Sequence, residues 1–303
     1  MVESCEPTLN MHALIQQLIS KGPILTDGAW GTELQARGLG LGEFPDAWNL
    51  SHPDRVSEVA KSYVEAGSQI ILTNTFGANR LRLASDGLGG KFVDINRAGV
   101  QISNVAAGGR ALVFASIGPT GKLLMNEDVS QDEMRSAFAE QGRVLSEAGA
   151  DGLILETMSD LAEARLAVEA VCQFGLPVVA CLVFDSGKEK DRTMMGDTPE
   201  QAAAALTAAG ADVVGANCGQ GIAHFAPVCR RLRAATNLPI WLKPNAGLPE
   251  LVNGRPIYNA KPEDFARCAV KLVELGASFI GGCCGTTPRF IAALREALTP
   301  SNE

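Results

Sequence analysis

Three cysteines are the residues whose placement could do chemistry. Cys218 closes the apolar run 212–217, and Cys283 and Cys284 stand side by side after the run 278–282. Three thiolates with a fourth position open are the pattern of a catalytic zinc site, because closed four-ligand sites serve structure and an open position admits water or substrate. His12, His52 and His224 do not fall at the ends of strand-like runs, so a fourth ligand would come from outside the chain. Adjacent cysteines do not readily bond to each other without strain. Gly281, Gly282 and Gly285 flank the pair, and would let the backbone bend until both sulfurs face one ion, which neighbours on a regular strand cannot do. The same turn suits two small buried residues, and spacing alone leaves both readings open. Cys5 lies near the N-terminus, and Cys172, Cys181, Cys229 and Cys268 read as small hydrophobes on apolar helix or strand faces.

The elements that must position these residues form a regular series. Short apolar runs closed by Gly, Asn or Asp occupy 24–27, 69–73, 111–116, 152–156, 177–184, 212–217, 240–244 and 278–282. Between them apolar residues recur three or four apart, as in Val56, Val59, Ala60, Tyr63 and Val64, the pattern of amphipathic helices. A repeat runs through the series: Glu65-Ala66-Gly67-Ser68, Glu147-Ala148-Gly149-Ala150, Ala208-Ala209-Gly210-Ala211 and Glu274-Leu275-Gly276-Ala277 precede every second strand. Glycine there fits a left-handed helix C-cap. Eight alternating units predict a single (β/α)8 TIM barrel over 1–303, with ends 1–10 and 299–303 flexible. An open doubly wound sheet is the other reading, but Gly28-Ala29-Trp30-Gly31 after the first strand is not the glycine pattern of a dinucleotide site.

In a barrel the reacting groups come from the C-terminal ends of the strands. Those positions hold Asp27 and Gly28; Thr73, Asn74 and Thr75; Ser116; Glu156 and Thr157; Asp185; Asn217 and Cys218; Lys243 and Asn245; and Cys283 and Cys284. Turns need short polar residues anyway, so no single one of them marks a site. Their concentration does. Composition removes other classes of function: a net charge of −8 argues against nucleic acid, which requires clustered Lys and Arg. No apolar run approaches the roughly 18 residues of a membrane span. Residues 1–10 carry Glu3 and Glu6 and no apolar stretch, which predicts a cytoplasmic protein whose eight cysteines are thiols or ligands, not disulfides.

Gly215-Ala216-Asn217-Cys218, Gly281-Gly282-Cys283-Cys284-Gly285-Thr286-Thr287-Pro288 and Asp27-Gly28-Ala29-Trp30-Gly31-Thr32-Glu33 resemble the zinc-dependent homocysteine S-methyltransferases. In motif they are most like the homocysteine-binding module of cobalamin-dependent methionine synthase. The resemblance implies the barrel fold, zinc on Cys218, Cys283 and Cys284, and methylation of homocysteine to methionine. It places Glu156 and Asp27 at the substrate ammonium, with Thr73 and backbone amides near Gly28 and Ser116 at its carboxylate. Asn217 would orient a ligand thiolate or contact substrate, or serve only as a turn residue.

The chemistry agrees with the ligand type. A thiol of pKa about 8.5 is mostly protonated at neutral pH, and coordination to zinc removes the proton. Three protein thiolates leave electron density on the substrate sulfur, whereas three imidazoles would favour acidifying water, so a hydrolase is the weaker reading. For the methyl donor the resemblance points to a methylated corrinoid, through Ser116-Ile117-Gly118-Pro119-Thr120-Gly121 and Lys243-Pro244-Asn245-Ala246-Gly247-Leu248-Pro249. The chain stops at Glu303 without a folate- or cobalamin-binding module, which calls for a separate corrinoid protein. S-methylmethionine is the other donor, met by an apolar, aromatic pocket from Trp30, Trp48 and Phe76. Betaine is disfavoured because Gly77 follows Phe76 where the betaine-using branch carries tyrosine. A barrel that binds zinc and thiols without turnover is the non-enzyme alternative. Residues 248–258 read as a polar Gly/Pro-rich loop.

Overall fold

A computed structural model of the chain describes residues 11–40, 42–252 and 255–299. The expectations for Cys5 and for the ends 1–10 and 300–303 lie outside those residues. All eight expected strands form: β1 (Ile24–Leu25), β2 (Ile70–Leu72), β3 (Leu112–Ile117), β4 (Gly152–Met158), β5 (Val178–Leu182), β6 (Val213–Cys218) and β7 (Ile240–Pro244), with the eighth numbered β10 (Ala277–Ile280). Between the last two, β8 (Glu250–Val252) and β9 (Arg255–Ile257) pair as an antiparallel hairpin. The segment read as a loop is therefore partly ordered by its own strand pairing. The eight parallel strands run in the order β1-β10-β7-β6-β5-β4-β3-β2. A parallel bridge between Thr26 and Ile70 joins the two ends. The sheet is a barrel, and the open doubly wound alternative is excluded.

Helices separate the strands, and their ends follow the repeat. Gly67, Gly149, Gly210 and Gly276 all take φ between 94° and 107°, the left-handed region where a Cβ would be strained. Ser130 with Glu133 and Thr198 with Gln201 form capping boxes at two helix starts, satisfying backbone N–H groups that have no partner within the helix.

The barrel interior is filled by side chains that alternate along each strand. Ile24, Leu72, Phe114, Ile154, Val179, Val213, Trp241 and Phe279 are fully or almost fully buried in one cluster, to which Ile15 adds from the short helix Ala13–Ile19. Trp241 stacks between Phe114 and Phe279, with ring centroids 6.0 and 5.0 Å away. Two positions beyond Phe114, Ile154 and Trp241 stand Ser116, Glu156 and Lys243, which line a cavity above this apolar plug. The period of two that fills the barrel thus also puts polar groups at its mouth.

Gly215 is fixed by the same packing. A Cβ there would lie 1.9 Å from the Trp241 carbonyl oxygen and 3.0 Å from Cys181 Sγ. Gly215→Ala should destabilise the fold by about 1–3 kcal/mol in urea unfolding, whereas Gly90→Ala, which meets nothing within 4 Å, should be near neutral.

Candidate active site

The three cysteines converge. Cys218 Sγ lies 3.4 Å from Cys283 Sγ and 3.9 Å from Cys284 Sγ, and all three sulfurs lie within 4.8 Å of one another. Tetrahedral bonds of about 2.3 Å from zinc to sulfur place ligand sulfurs roughly 3.8 Å apart. The spacing fits a shared metal and is far too long for a disulfide, and all three are free thiols. Cys218 ends β6 with φ of 64°, and Thr157 near the end of β4 has φ of 60°. Non-glycine residues held in that region concentrate at functional sites.

The turn after β10 is shaped by close approach. A Cβ on Gly281 would lie 2.1 Å from Thr26 Oγ1, and one on Gly282 2.4 Å from Thr286 Oγ1. Cys283 N–H donates to the Pro244 carbonyl (2.8 Å), and Ala246 N–H donates to the Cys284 carbonyl (2.9 Å). Cys283 and Cys284 are thereby tied to the end of β7. Without a cation, three thiols this close cannot all ionise. Hydrogen bonds from Cys218 and Cys283 hold the Cys284 thiol well below its usual range, while the same contacts push Cys218 well up.

Below the cysteines lies a buried charge network. Lys243 Nζ pairs with Asp27 Oδ1 at 2.5 Å, with both side chains almost wholly enclosed. Asp27 Oδ2 accepts from Trp30 Nε1 (2.8 Å) and from the Leu72 N–H (2.7 Å). Burial pulls the Lys243 pKa down, but Asp27 and Glu156 outweigh it and the net shift is upward. Glu156 is buried, and desolvation raises its carboxyl to about 7 against the opposing pull of Lys243. Ser116 Oγ donates to Glu156 Oε1.

The expected site residues divide into those at the cavity surface and those behind it. Gly28, Thr73, Ser116, Glu156, Cys218, Cys283 and Cys284 line a cavity of about 280 Å³. Thr73 Oγ1 already contacts Thr75 Oγ1 and accepts from the Ser116 N–H. Asp27 lies beneath the surface, fully engaged. Asn217 also stands behind it: Oδ1 accepts from the Thr157 N–H, and Nδ2 donates to Thr157 Oγ1 at 2.7 Å and approaches Cys283 Sγ at 3.8 Å.

Two expectations need correction. Trp48 does not join Trp30 and Phe76 at the cavity; its ring is buried and its Nε1 donates to Glu43. Cys172 is exposed in the turn after the helix Leu161–Val171, because the apolar periodicity stops at Val171. Among the expected bystanders, Cys181 and Cys229 are buried.

Two further residues belong to the site. Lys243 is the one lysine in an otherwise apolar run (Ile240, Trp241, Leu242), a signal in the sequence that its strand-end position alone does not convey. Asp46 lines the cavity through the loop after β1, in a short turn started by Pro45, and no motif marks it.

An eight-stranded barrel with a three-thiol cluster at its mouth defines the class, and comparison with known proteins gives the family. The homocysteine S-methyltransferase family model matches residues 24–298, and the chain belongs to that family. It is 30% identical to methionine synthase of Mycobacterium tuberculosis over 300 residues and 29% identical to that of Mycobacterium leprae over 306. Those matches cover 93% and 95% of this chain, which spans about 25% of each relative's length. The crystal structure of the oxidized form of the homocysteine methyltransferase MmuM from Escherichia coli superposes with a TM-score of 0.79 at 25% identity, covering 93% of this chain and 98% of that one. Among the described residues no helix is long and apolar enough to cross a membrane.

Removing Lys243 leaves Asp27 buried without a counter-charge. Lys243→Met should cost roughly 3–5 kcal/mol in denaturant unfolding, and Lys243→Met with Asp27→Asn should recover much of it. A pH effect follows from Asp46, whose carboxyl burial raises from 3.8 to about 7 against the Gly77 N–H and Arg82. Between those values the folded protein holds a proton that the unfolded chain has released, so this stabilising contribution is full below about 3.8 and is lost as pH rises through about 7. The wild type should therefore lose stability relative to Asp46→Asn over that interval, read from urea midpoints at a series of pH values.

Proposed function

We propose that this chain is a zinc-dependent thiol S-methyltransferase that converts homocysteine to methionine. The observation that carries the reading is the three-sulfur cluster facing a small-molecule cavity whose other polar groups suit an amino acid. Cys218, Cys283 and Cys284 would hold the metal. When bound, zinc would remove the proton of the incoming thiol and, with three thiolates already attached, leave electron density on its sulfur.

The remaining work falls to the chain. Asn217 holds Cys283 in orientation through its contact at 3.8 Å. Glu156, steadied by Ser116, accepts the substrate ammonium, since a buried charge needs a partner. Lys243 offers N–H donors beyond the one Asp27 takes and, with Gly28, serves the substrate carboxylate. Asp27 acts through Lys243 and Trp30, not by touching substrate. The methyl donor is a separate methylated corrinoid protein or a small compound such as S-methylmethionine, with betaine third. The apolar plug below the cavity keeps water from approaching the thiolate from behind.

The purified protein should bind one zinc and form methionine from homocysteine with at least one of methylcobalamin, S-methylmethionine or betaine. Cys283→Ala with Cys284→Ala should abolish stoichiometric zinc, and undiminished zinc would refute the ligand set. X-ray absorption should gain a fourth sulfur when homocysteine is added. A fourth sulfur without methionine from any donor would identify a non-catalytic zinc and thiol-binding barrel.

A further inference from the structure

Both tyrosines of the chain meet the turn that carries Cys283 and Cys284. Tyr63 reaches it from inside. Fully buried on the helix Pro53–Ala66, its hydroxyl donates to the Ala29 carbonyl at 2.6 Å and approaches the Thr286 carbonyl at 3.2 Å. Tyr258 reaches the turn from the other side, directly after β9. A Cβ on Gly285 would lie 2.1 Å from Tyr258 Cγ and 2.4 and 2.6 Å from its two Cδ atoms, so the ring is seated on that glycine. Gly285 also takes φ of 80°, so two separate constraints call for glycine beside the cysteine pair. The Tyr258 hydroxyl is hydrogen-bonded to the Cys284 sulfur, and the sulfurs of Cys218 and Cys283 are close enough for their charge to act on it.

The segment 246–258 thus leaves the barrel at Cys284 and returns to it. Ala246 N–H donates to the Cys284 carbonyl at 2.9 Å, and Tyr258 holds the sulfur of the same residue. The hairpin between them has little hold of its own, since Leu251, Val252 and Ile257 are exposed. Tyr258 instead packs against the main core. It does not line the cavity, so it acts through Cys284 and not by touching substrate.

We propose that Tyr258 is a positioning residue for the zinc ligand Cys284: its hydroxyl donates to the sulfur and its ring covers the turn, and together they retain the metal. This deepens the zinc reading and rests on it. A phenol is a donor at neutral pH, and a hydrogen bond to an ionised acceptor is about twice as strong as a neutral one. Three thiolates on one divalent ion carry an excess of negative charge, which an O–H donor draws partly away from sulfur. Partners of this kind orient a ligand and tune the metal, and their loss typically weakens metal binding about 10–100-fold. Tyr63, whose hydroxyl meets two backbone carbonyls, fixes the course of the turn, and Tyr258 fixes the ligand atom.

The test compares wild type, Tyr258→Phe and Tyr258→Ala. Tyr258→Phe keeps the ring on Gly285 and removes only the hydroxyl. Its zinc dissociation constant, measured by competition with a chromogenic chelator, should rise about 10-fold, and that of Tyr258→Ala should rise further. In cobalt-substituted protein the sulfur-to-cobalt charge-transfer absorption should shift in Tyr258→Phe, a change that a merely structural role does not produce. Melting temperatures of the zinc-free proteins check that the variants fold. Unchanged zinc affinity in both variants, or an unshifted charge-transfer band in Tyr258→Phe, would overturn the proposal. A measurement without metal separates it from the reading it rests on. Alkylation of Cys284 by iodoacetamide, mapped by mass spectrometry with Cys268 as the reference thiol, should be several-fold faster in zinc-free Tyr258→Ala than in zinc-free wild type, because the ring no longer covers the sulfur. Wild type that binds no zinc would refute the zinc reading, and equal alkylation rates would refute the contact between Tyr258 and Cys284.

Discussion

Three sulfur atoms at 3.4 and 3.9 Å must be held together by a chain that contributes them from the end of β6 and the turn after β10. Like groups at that distance cannot all carry charge without a cation between them, so the scaffold has to impose the arrangement. Much of the surrounding backbone is explained by that demand. Cys218 is held at φ of 64°, Gly281 and Gly282 press against Thr26, Asp27 and Thr286, and the Cys283 N–H is tied to Pro244. The left-handed backbone of Cys218 is unfavourable for a residue with a side chain, and together these features bring the sulfurs to one cavity.

The charges nearby form a second layer of the same problem. Lys243 stands between Asp27 and Glu156 and carries the positive charge that makes two buried acids tolerable. Asp27 in turn gathers Trp30 and the Leu72 N–H, linking β7 to the loop after β1 and to β2. Buried ion pairs of this kind are weak sources of net stability, and replacing both partners with apolar groups is often neutral. Their value here is geometric: they fix the cavity floor without blocking Glu156 at its surface.

The cavity carries the thiols together with Glu156 and Lys243. Asp46, Asn74 and Phe76 line the same cavity. The homocysteine S-methyltransferase family to which the chain belongs is consistent with those groups.

Much of this was legible in the sequence because the signals were periodic or local. Eight apolar runs with glycine-capped helices between them fixed the barrel, and the strand-end positions of Cys218, Cys283 and Cys284 followed from that count. The surroundings of Asp27 and Trp48 could not be read this way, because a residue's number along the chain says little about which of its neighbours will reach it. Asp27 proved to be the partner of Lys243, 216 positions away, and Trp48 turned into the core. No motif marks Asp46, because a loop residue acquires meaning only from the cavity that closes around it. The sequence by itself determined the elements and the three thiols, since hydrophobic period and turn chemistry act over a few residues. Only tertiary structure decided which acids meet a cation inside the protein and which line a cavity, because electrostatic partnership depends on distance and burial, and both are set when the barrel closes.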